Sequence, residues 1–224
     1  MDFGRLRMPA HELWLANPPD GTRVCGGFDG SENDDWTCIK CETVDGLIFT
    51  PRYGPDRRPT IWNPDEWGGR IPRSEVNAAW DELNRRYKIE RAYCDPGFRD
   101  EVSWESQIEE WDQLYGPKRF IPWVMSGNSR VNAVYEALRR LESDLEQHHV
   151  TQDGCPITIT HMGNARKIAK PGERYGLGKP QQDRKIDAAV TTVLAHEAAC
   201  DARAAGWGRS QPNFILTASN TRRF

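Results

Sequence analysis

Residues 23–50 read RVCGGFDGSENDDWTCIKCETVDGLIFT, and this stretch decides the fold. RVCGGFD, from Arg23 to Asp29, is a short, largely apolar run stopped by Gly30-Ser31, and it reads as a buried strand. WTCIKCE (residues 36–42) and GLIFT (residues 46–50) read as two further strands around the turn signal Val44-Asp45-Gly46. Three consecutive strands with short connections imply an antiparallel meander.

Outward from the meander, strands and helices alternate. Residues 51–73 form a long irregular stretch, and loops of that length are often functional. A helix is predicted from Ser74, a good cap, with Val76, Ala79, Trp80, Leu83 and Tyr87 on one face. KIERAYC then reads as a strand ending at Asp95-Pro96-Gly97. A second helix aligns Trp104, Ile108, Trp111 and Tyr115, and RFIPWV follows as a strand. A third helix starts near Asn128-Ser129 and carries Val131, Val134, Tyr135, Leu138, Leu141 and Leu145. PITITHM (residues 156–162) is predicted as a short strand, and the last long helix as residues 184–205. This order suggests an α/β domain: a mixed, partly parallel sheet with helices on both faces. Tryptophans on helix stripes are read as core. Residues 1–21 read as a lead-in, 22–205 as the domain and 206–224 as a polar tail.

Composition narrows the function. The 224 residues suit one large domain, and 28% charged residues with 38% hydrophobic ones fit a globular chain. A net charge of −3 excludes bulk electrostatic DNA binding, so any nucleic-acid contact has to come from local patches. No apolar run is long enough to cross a membrane, and the first residues lack a signal-peptide core. The six cysteines read as free thiols in a reducing compartment. Cys38 and Cys41 have zinc-finger spacing, but on a strand they point to opposite faces and no second pair follows. His161 and His196 read as structural, neither having a partner at metal-ligand spacing, while His148 and His149 suit the end of a helix dipole.

Three carboxylates stand out. Asp29 and Asp95 each end a short apolar strand and precede a turn signal. If those strands are parallel neighbours, both carboxylates emerge at the edge where open α/β sheets place ligands; read singly, each is an ordinary turn former. Asp187 lies inside the apolar stripe of the last helix, beside Val190 and Leu194, where an unpaired carboxylate is costly and demands a cation or donor. Asp183, one turn earlier, reads equally as an accessory ligand or as the helix cap. Converging carboxylates suit hard divalent ions such as Mg²⁺ or Mn²⁺, and two such ions can support phosphodiester cleavage. Lys185 either contacts phosphate at that site or is an ordinary exposed helix lysine.

These residues resemble the C-terminal nuclease domain of the large terminase subunit of tailed bacteriophages. GFDGSENDDWTCI resembles the first acidic motif with its following Asp-x-Thr, and YCDP the second. HMGNA (residues 161–165) and RKIDAAVTTVLAHEA (residues 184–198) resemble the closing segments. The resemblance covers residues 22–205. It implies a ribonuclease-H-like fold, a five-stranded mixed sheet flanked by helices on both faces. It also implies cleavage of concatemeric viral DNA during packaging by two Mg²⁺ or Mn²⁺ ions. By motif position Asp29, Asp95 and Asp187 take the metal-ligand roles, with Asp183 as an accessory. The implied partners are double-stranded DNA, a packaging ATPase domain, the portal and the small terminase subunit, at the procapsid in the host cytoplasm, with the isolated domain monomeric. ATPase activity is not expected, because no G-x-x-x-x-G-K-S/T motif is present and GLGKP (residues 176–180) does not fit it.

The segment GNARKIAKPGERYGLGK (residues 163–179) sets Arg166, Lys167, Lys170, Arg174 and Lys179 against one acid, Glu173. It is expected beside the site, contacting phosphates without reading sequence. Arg139 and Arg140 read as surface charges. Two rival readings keep the same fold: a junction resolvase or transposase-like nuclease, and a noncatalytic DNA-binding or docking module.

Overall fold

The computed structural model describes residues 14–31, 35–97, 103–181 and 183–209. The meander forms as β1 (Arg23–Asp29), β2 (Thr37–Thr43) and β3 (Leu47–Phe49). β1 and β2 are antiparallel with Phe28 opposite Ile39, and β2 and β3 are antiparallel with Cys41 opposite Phe49. Gly46 makes the tight turn between β2 and β3 at φ 91°, where a Cβ would meet the His149 carbonyl. Cys38 and Cys41 lie in different core clusters, as their three-residue spacing on a strand requires.

The irregular stretch after β3 contains its own structure. β4 (Arg52–Tyr53) and β5 (Arg58–Pro59) form a small hairpin, and β6 (Ile61–Trp62) pairs with the start of β2. α1 (Arg73–Arg86) follows, and its N-cap position is Pro72; Ser74 lies inside the first turn rather than capping it. The chain then returns as β7 (Lys88–Asp95), parallel to β1. After α2 (Glu105–Tyr115), β8 (Phe120–Pro122) extends the sheet in parallel. A 3-10 turn over Asn128–Arg130 leads into α3 (Val131–Glu146), and β9 (Thr151–Gln152) pairs with β3 at the other edge. The sheet order is β8-β7-β1-β2-β3-β9, with β6 beside β2. Five of the six strands read from the residues are its body, and two two-residue strands, β6 and β9, extend it.

PITITHM does not form a strand. Residues Pro156–Asn164 are α4, with Pro156 at the helix start and Thr158 and His161 buried three residues apart. The alternation of isoleucine and threonine imitates a strand, but Ile159 is 59% exposed, so the period that governs burial is helical. The basic segment folds as a hairpin, β10 (Arg166–Lys170) with β11 (Arg174–Gly178). The last helix, α5 (Asp187–Ala204), begins three residues later than expected.

Helices cover both faces. α1 and α2 pack Trp80, Leu83, Trp104 and Trp111 onto Phe28, Ile39 and Phe120. Trp80, Trp104 and Trp111 are at most 2% exposed, so the helix tryptophans are core. Burying each contributes upward of about 3 kcal/mol by area. α3 and α5 cover the other face through Leu138, Leu141, Val193 and Leu194. α5 is rich in alanine and lies directly on β1: a Cβ at Gly27 would sit 2.4 Å from the Thr191 carbonyl oxygen and 2.5 Å from the Ala195 nitrogen. This close approach positions Asp187 over the ends of β1 and β7. At the start of the described chain, Trp14 donates to Asp153 (2.9 Å) and Asn17 to the Thr50 carbonyl (2.8 Å), pinning residues 14–21 to the domain. Among the described residues no helix is long and apolar enough to cross a membrane.

Candidate active site

The parallel pairing of β1 and β7 puts Asp29 and Asp95 opposite each other at the last step of the register. Both carboxylates therefore leave the sheet at its carboxyl edge, side by side. Asp187 is the first residue of α5 and is 6% exposed. The three aspartates line one cleft of about 210 Å³, together with Asp35, Lys179 and the segment Met125–Ser126. The neighbouring turn holds Asp95 in place. Its Oδ1 accepts from the Gly97 amide (3.2 Å) and its Oδ2 from the Met125 amide (3.1 Å). Gly97 provides the first of these contacts at φ 84°, a conformation glycine adopts without strain.

The cleft concentrates negative charge. Burial, and then the charges of Asp95, Asp187 and Asp35, push the Asp29 carboxyl well above the usual carboxylate range. Asp29 keeps some solvent contact as a residue, but its carboxyl is closed in by these neighbours. Burial raises Asp95 as well, and the two backbone amides offset only part of the rise. Asp187 is pushed up to about 6, first by burial and then by Asp35. Its Oδ2 is buried and has no hydrogen-bond partner among the described residues, so an acceptor is left unpaid inside a polar cleft.

Asp35 was not singled out from the sequence as a site residue. It stands just before β2, and the antiparallel register that sets Asp29 opposite Cys38 brings it to the end of β1. Meander register was the signal that could have found it. Lys179 and Lys185 both bind Asp35 Oδ1, at 2.7 and 3.0 Å. Burial opposes the charge of Asp35, but the two ammonium groups outweigh it and hold its carboxyl below the usual range. Lys185 is thus drawn to the cleft's acids and is not an exposed helix lysine.

Asp183 does not join the group. It lies exposed in a turn before α5, does not line the cleft, and is not the cap, since the N-cap position is Ile186. With α5 beginning at Asp187 and not near Arg184, Asp183 has no helical phase. Arg140 is exposed, as a surface charge should be, and it also forms a paired contact with the buried Glu197 of α5. His161 accepts the Ala188 amide at Nδ1 (3.1 Å), closing the first turn of α5.

The basic hairpin stands next to the cleft. Met125 and Ser126 line both the acidic cleft and an adjoining cavity walled by Lys170, Tyr175 and Leu177. β10 is exposed along its whole length, so Arg166 and Lys170 face solvent. Lys167 binds Glu142 (2.5 Å) and lies over the Tyr175 ring. Arg174 lies at the hairpin turn, and Lys179 reaches into the cleft itself.

No family profile matches the chain. The fold it adopts is that of phage large terminase nuclease domains, a ribonuclease-H-like mixed sheet flanked by helices. The large terminase nuclease of thermophilic phage G20c, solved with bound magnesium, superimposes with a TM-score of 0.56 at 15% identity, over 84% of this chain and 95% of that one. The HK97 bacteriophage large terminase gives 0.59 at 16% identity, over 84% of this chain and 42% of that one. Among curated proteins, the Gene 13 protein of Mycobacterium phage D29 is 31% identical over 199 residues, 84% of this chain and 31% of that protein. The Gene 13 protein of Mycobacterium phage L5 is 30% identical over 193 residues, 81% of this chain and 30% of that protein. The chain therefore spans about a third of the length of the curated relatives it matches.

Proposed function

We propose that this chain is a divalent-metal-dependent endodeoxyribonuclease that cuts concatemeric viral DNA during genome packaging. One observation carries the reading: Asp29 and Asp95 are register partners at the carboxyl edge of the sheet, and α5 brings Asp187 to the same cleft with a buried oxygen that has no partner among the described residues. Asp29, Asp95 and Asp187 have raised proton affinities, and ionised without a counterion they would repel one another and Asp35. An all-oxygen donor set suits magnesium or manganese, and the free Oδ2 of Asp187 is a position such an ion would fill. Asp29, Asp95 and Asp187 would hold the metal, with Asp35 at the rim. Two ions bound there would supply an activated water and stabilise the leaving oxygen of a phosphodiester. A G20c nuclease structure carries magnesium and another carries cobalt, which supports divalent-metal chemistry on this fold.

The chain's own residues do the rest. The amides of Gly97 and Met125 fix the orientation of Asp95, so the cleft is preorganised. Lys179 and Lys185 neutralise Asp35 and offer ammonium groups to a phosphate entering the cleft. Arg166, Lys170 and Arg174 on the hairpin grip the flanking backbone without reading bases. The substrate is double-stranded DNA, and the setting is the packaging motor at the procapsid portal in the host cytoplasm. A packaging ATPase, the portal and the small terminase subunit are the partners, and ATP hydrolysis is not among this stretch's activities.

A plasmid-nicking assay tests the proposal. Cleavage is expected with Mn²⁺ or Mg²⁺ and not with EDTA, and it is expected to fall by at least about 100-fold in Asp29→Asn and Asp187→Asn. Folded protein without metal-dependent cleavage, or cleavage unchanged in both variants, refutes it and leaves a noncatalytic DNA-binding module. Strong preference for branched over linear DNA would instead indicate a junction resolvase.

A further inference from the structure

A second cluster of metal-ligating side chains lies on α5, far from the acidic cleft. His196 and Cys200 are one helical turn apart on the same face. Asp144, near the end of α3, comes up against them from the neighbouring helix. One donor atom from each lies within 4.8 Å of the others. Asp144 Oδ2 is 3.2 Å from His196 Nε2, and Cys200 Sγ is 3.4 Å from the same nitrogen. Tetrahedral zinc with bonds of about 2.0 Å to nitrogen and oxygen and about 2.3 Å to sulfur places oxygen and sulfur about 3.3 and about 3.5 Å from the nitrogen. The observed separations are within a few tenths of an ångström of those edges.

The support behind the imidazole also fits. Glu42 on β2 contacts His196 Nδ1 at 2.9 Å, and both side chains are fully buried. Arg203 in turn holds the other oxygen of Glu42. A carboxylate on Nδ1 keeps a proton there and turns the Nε2 lone pair outward, the arrangement that fixes the tautomer of metal-ligating histidines. Cys200 differs from its fellow cysteines: Cys25, Cys38, Cys41, Cys94 and Cys155 are buried, whereas Cys200 is partly open to solvent, as is Asp144. The open side leaves room for water as a fourth ligand.

We propose that Asp144, His196 and Cys200 form a transition-metal site of the zinc class, separate from the acidic cleft. In the metal-free protein His196 lies between two carboxylates, Glu42 at Nδ1 and Asp144 at Nε2, and carries a proton on each nitrogen. Binding displaces the Nε2 proton and the thiol proton of Cys200, the Nδ1 proton stays with Glu42, and Nε2 and Sγ each donate an electron pair to the ion. The mixed nitrogen, oxygen and sulfur donors select a softer ion than the all-oxygen cleft does. The two centres lie along one helix, nine residues or about 14 Å apart from Asp187 to His196. The bound ion cross-links α3 to α5. His196 does have a ligand partner in sequence, one turn ahead; a cysteine four residues away was the overlooked signal.

The test is cobalt titration of the whole metal-stripped chain. Wild type is expected to develop a thiolate-to-cobalt charge-transfer band saturating at one equivalent, and zinc is expected to abolish it by competition. Cys200→Ser and Asp144→Asn, checked for folding by circular dichroism, are expected to lose the band or weaken cobalt binding by at least about tenfold. Asp29→Asn, which changes only the oxygen cleft, is expected to retain it. Absence of a charge-transfer band in folded wild type, or a band that persists in Cys200→Ser, overturns the assignment and leaves His196 as the centre of a buried ion network.

Discussion

Replacing Asp187 by asparagine should stabilise the metal-free protein while removing its response to metal. The carboxyl is 6% exposed and its pKa is carried from 3.8 up to about 6, first by burial and then by Asp35. An acid whose folded pKa lies above its unfolded value favours the protonated fold. Its penalty is absent at low pH, accumulates as pH rises from about 4 to about 6, and is fully present above that. Two pKa units correspond to roughly 3 kcal/mol. Asparagine removes the charge but leaves an amide in a polar cleft, which gives back about 1 kcal/mol. The expected net gain in EDTA near neutral pH is thus about 2 kcal/mol, or roughly 4–8 °C in Tm for a domain of this size. Thermal melts of both proteins at about pH 4 and about pH 8 read the difference, which should be small at the lower pH. Adding manganese should raise the Tm of wild type and reverse the order. A variant less stable than wild type in EDTA at the higher pH, or a difference that does not grow with pH, refutes the reasoning.

Gly27→Ala places a methyl against the backbone of α5, within 2.5 Å of two main-chain atoms, so it should destabilise the fold by about 3 kcal/mol or more in urea unfolding. His161 is held neutral, its pKa pushed down to about 4, first by burial and then by Lys40 and Lys185. Because its folded pKa lies below the unfolded one, its contribution is whole above about pH 6.5 and is lost as pH falls through about 4. His161→Gln, which keeps an acceptor for the Ala188 amide, should flatten that part of the pH–stability curve. Replacing Arg166, Lys170 and Arg174 by alanine should weaken binding to duplex DNA and lower its salt slope by about two to three, without changing the melting temperature by more than a few degrees. An unchanged slope would remove the hairpin from the DNA path.

The fold was legible where residue pattern and physics agree. The meander over residues 23–50 shows its turns, and the helix stripes of Trp80, Trp111 and Leu138 follow the 3.6-residue period. Asp29 and Asp95 could be matched because each closes a strand. Asp187 could be found because it interrupts an apolar face. Short alternating segments were less readable: PITITHM has strand chemistry but begins with a proline suited to a helix start. Helix phase fails when the first residue is misplaced, and this put Asp183 on a face that does not exist. Asp35 and the Glu197–Arg140 and Glu42–His196 pairs depend on contacts between distant segments, which a single sequence does not display.

The central claim is that Asp29, Asp95 and Asp187 together hold catalytic divalent cations. Anomalous diffraction from crystals soaked in manganese tests it most directly. Peaks are expected within bonding distance of all three carboxylates, about 2.0–2.3 Å from their oxygens, and one should disappear in Asp187→Asn. A fully soaked crystal with no peak in this cleft, or with peaks only elsewhere, would contradict it.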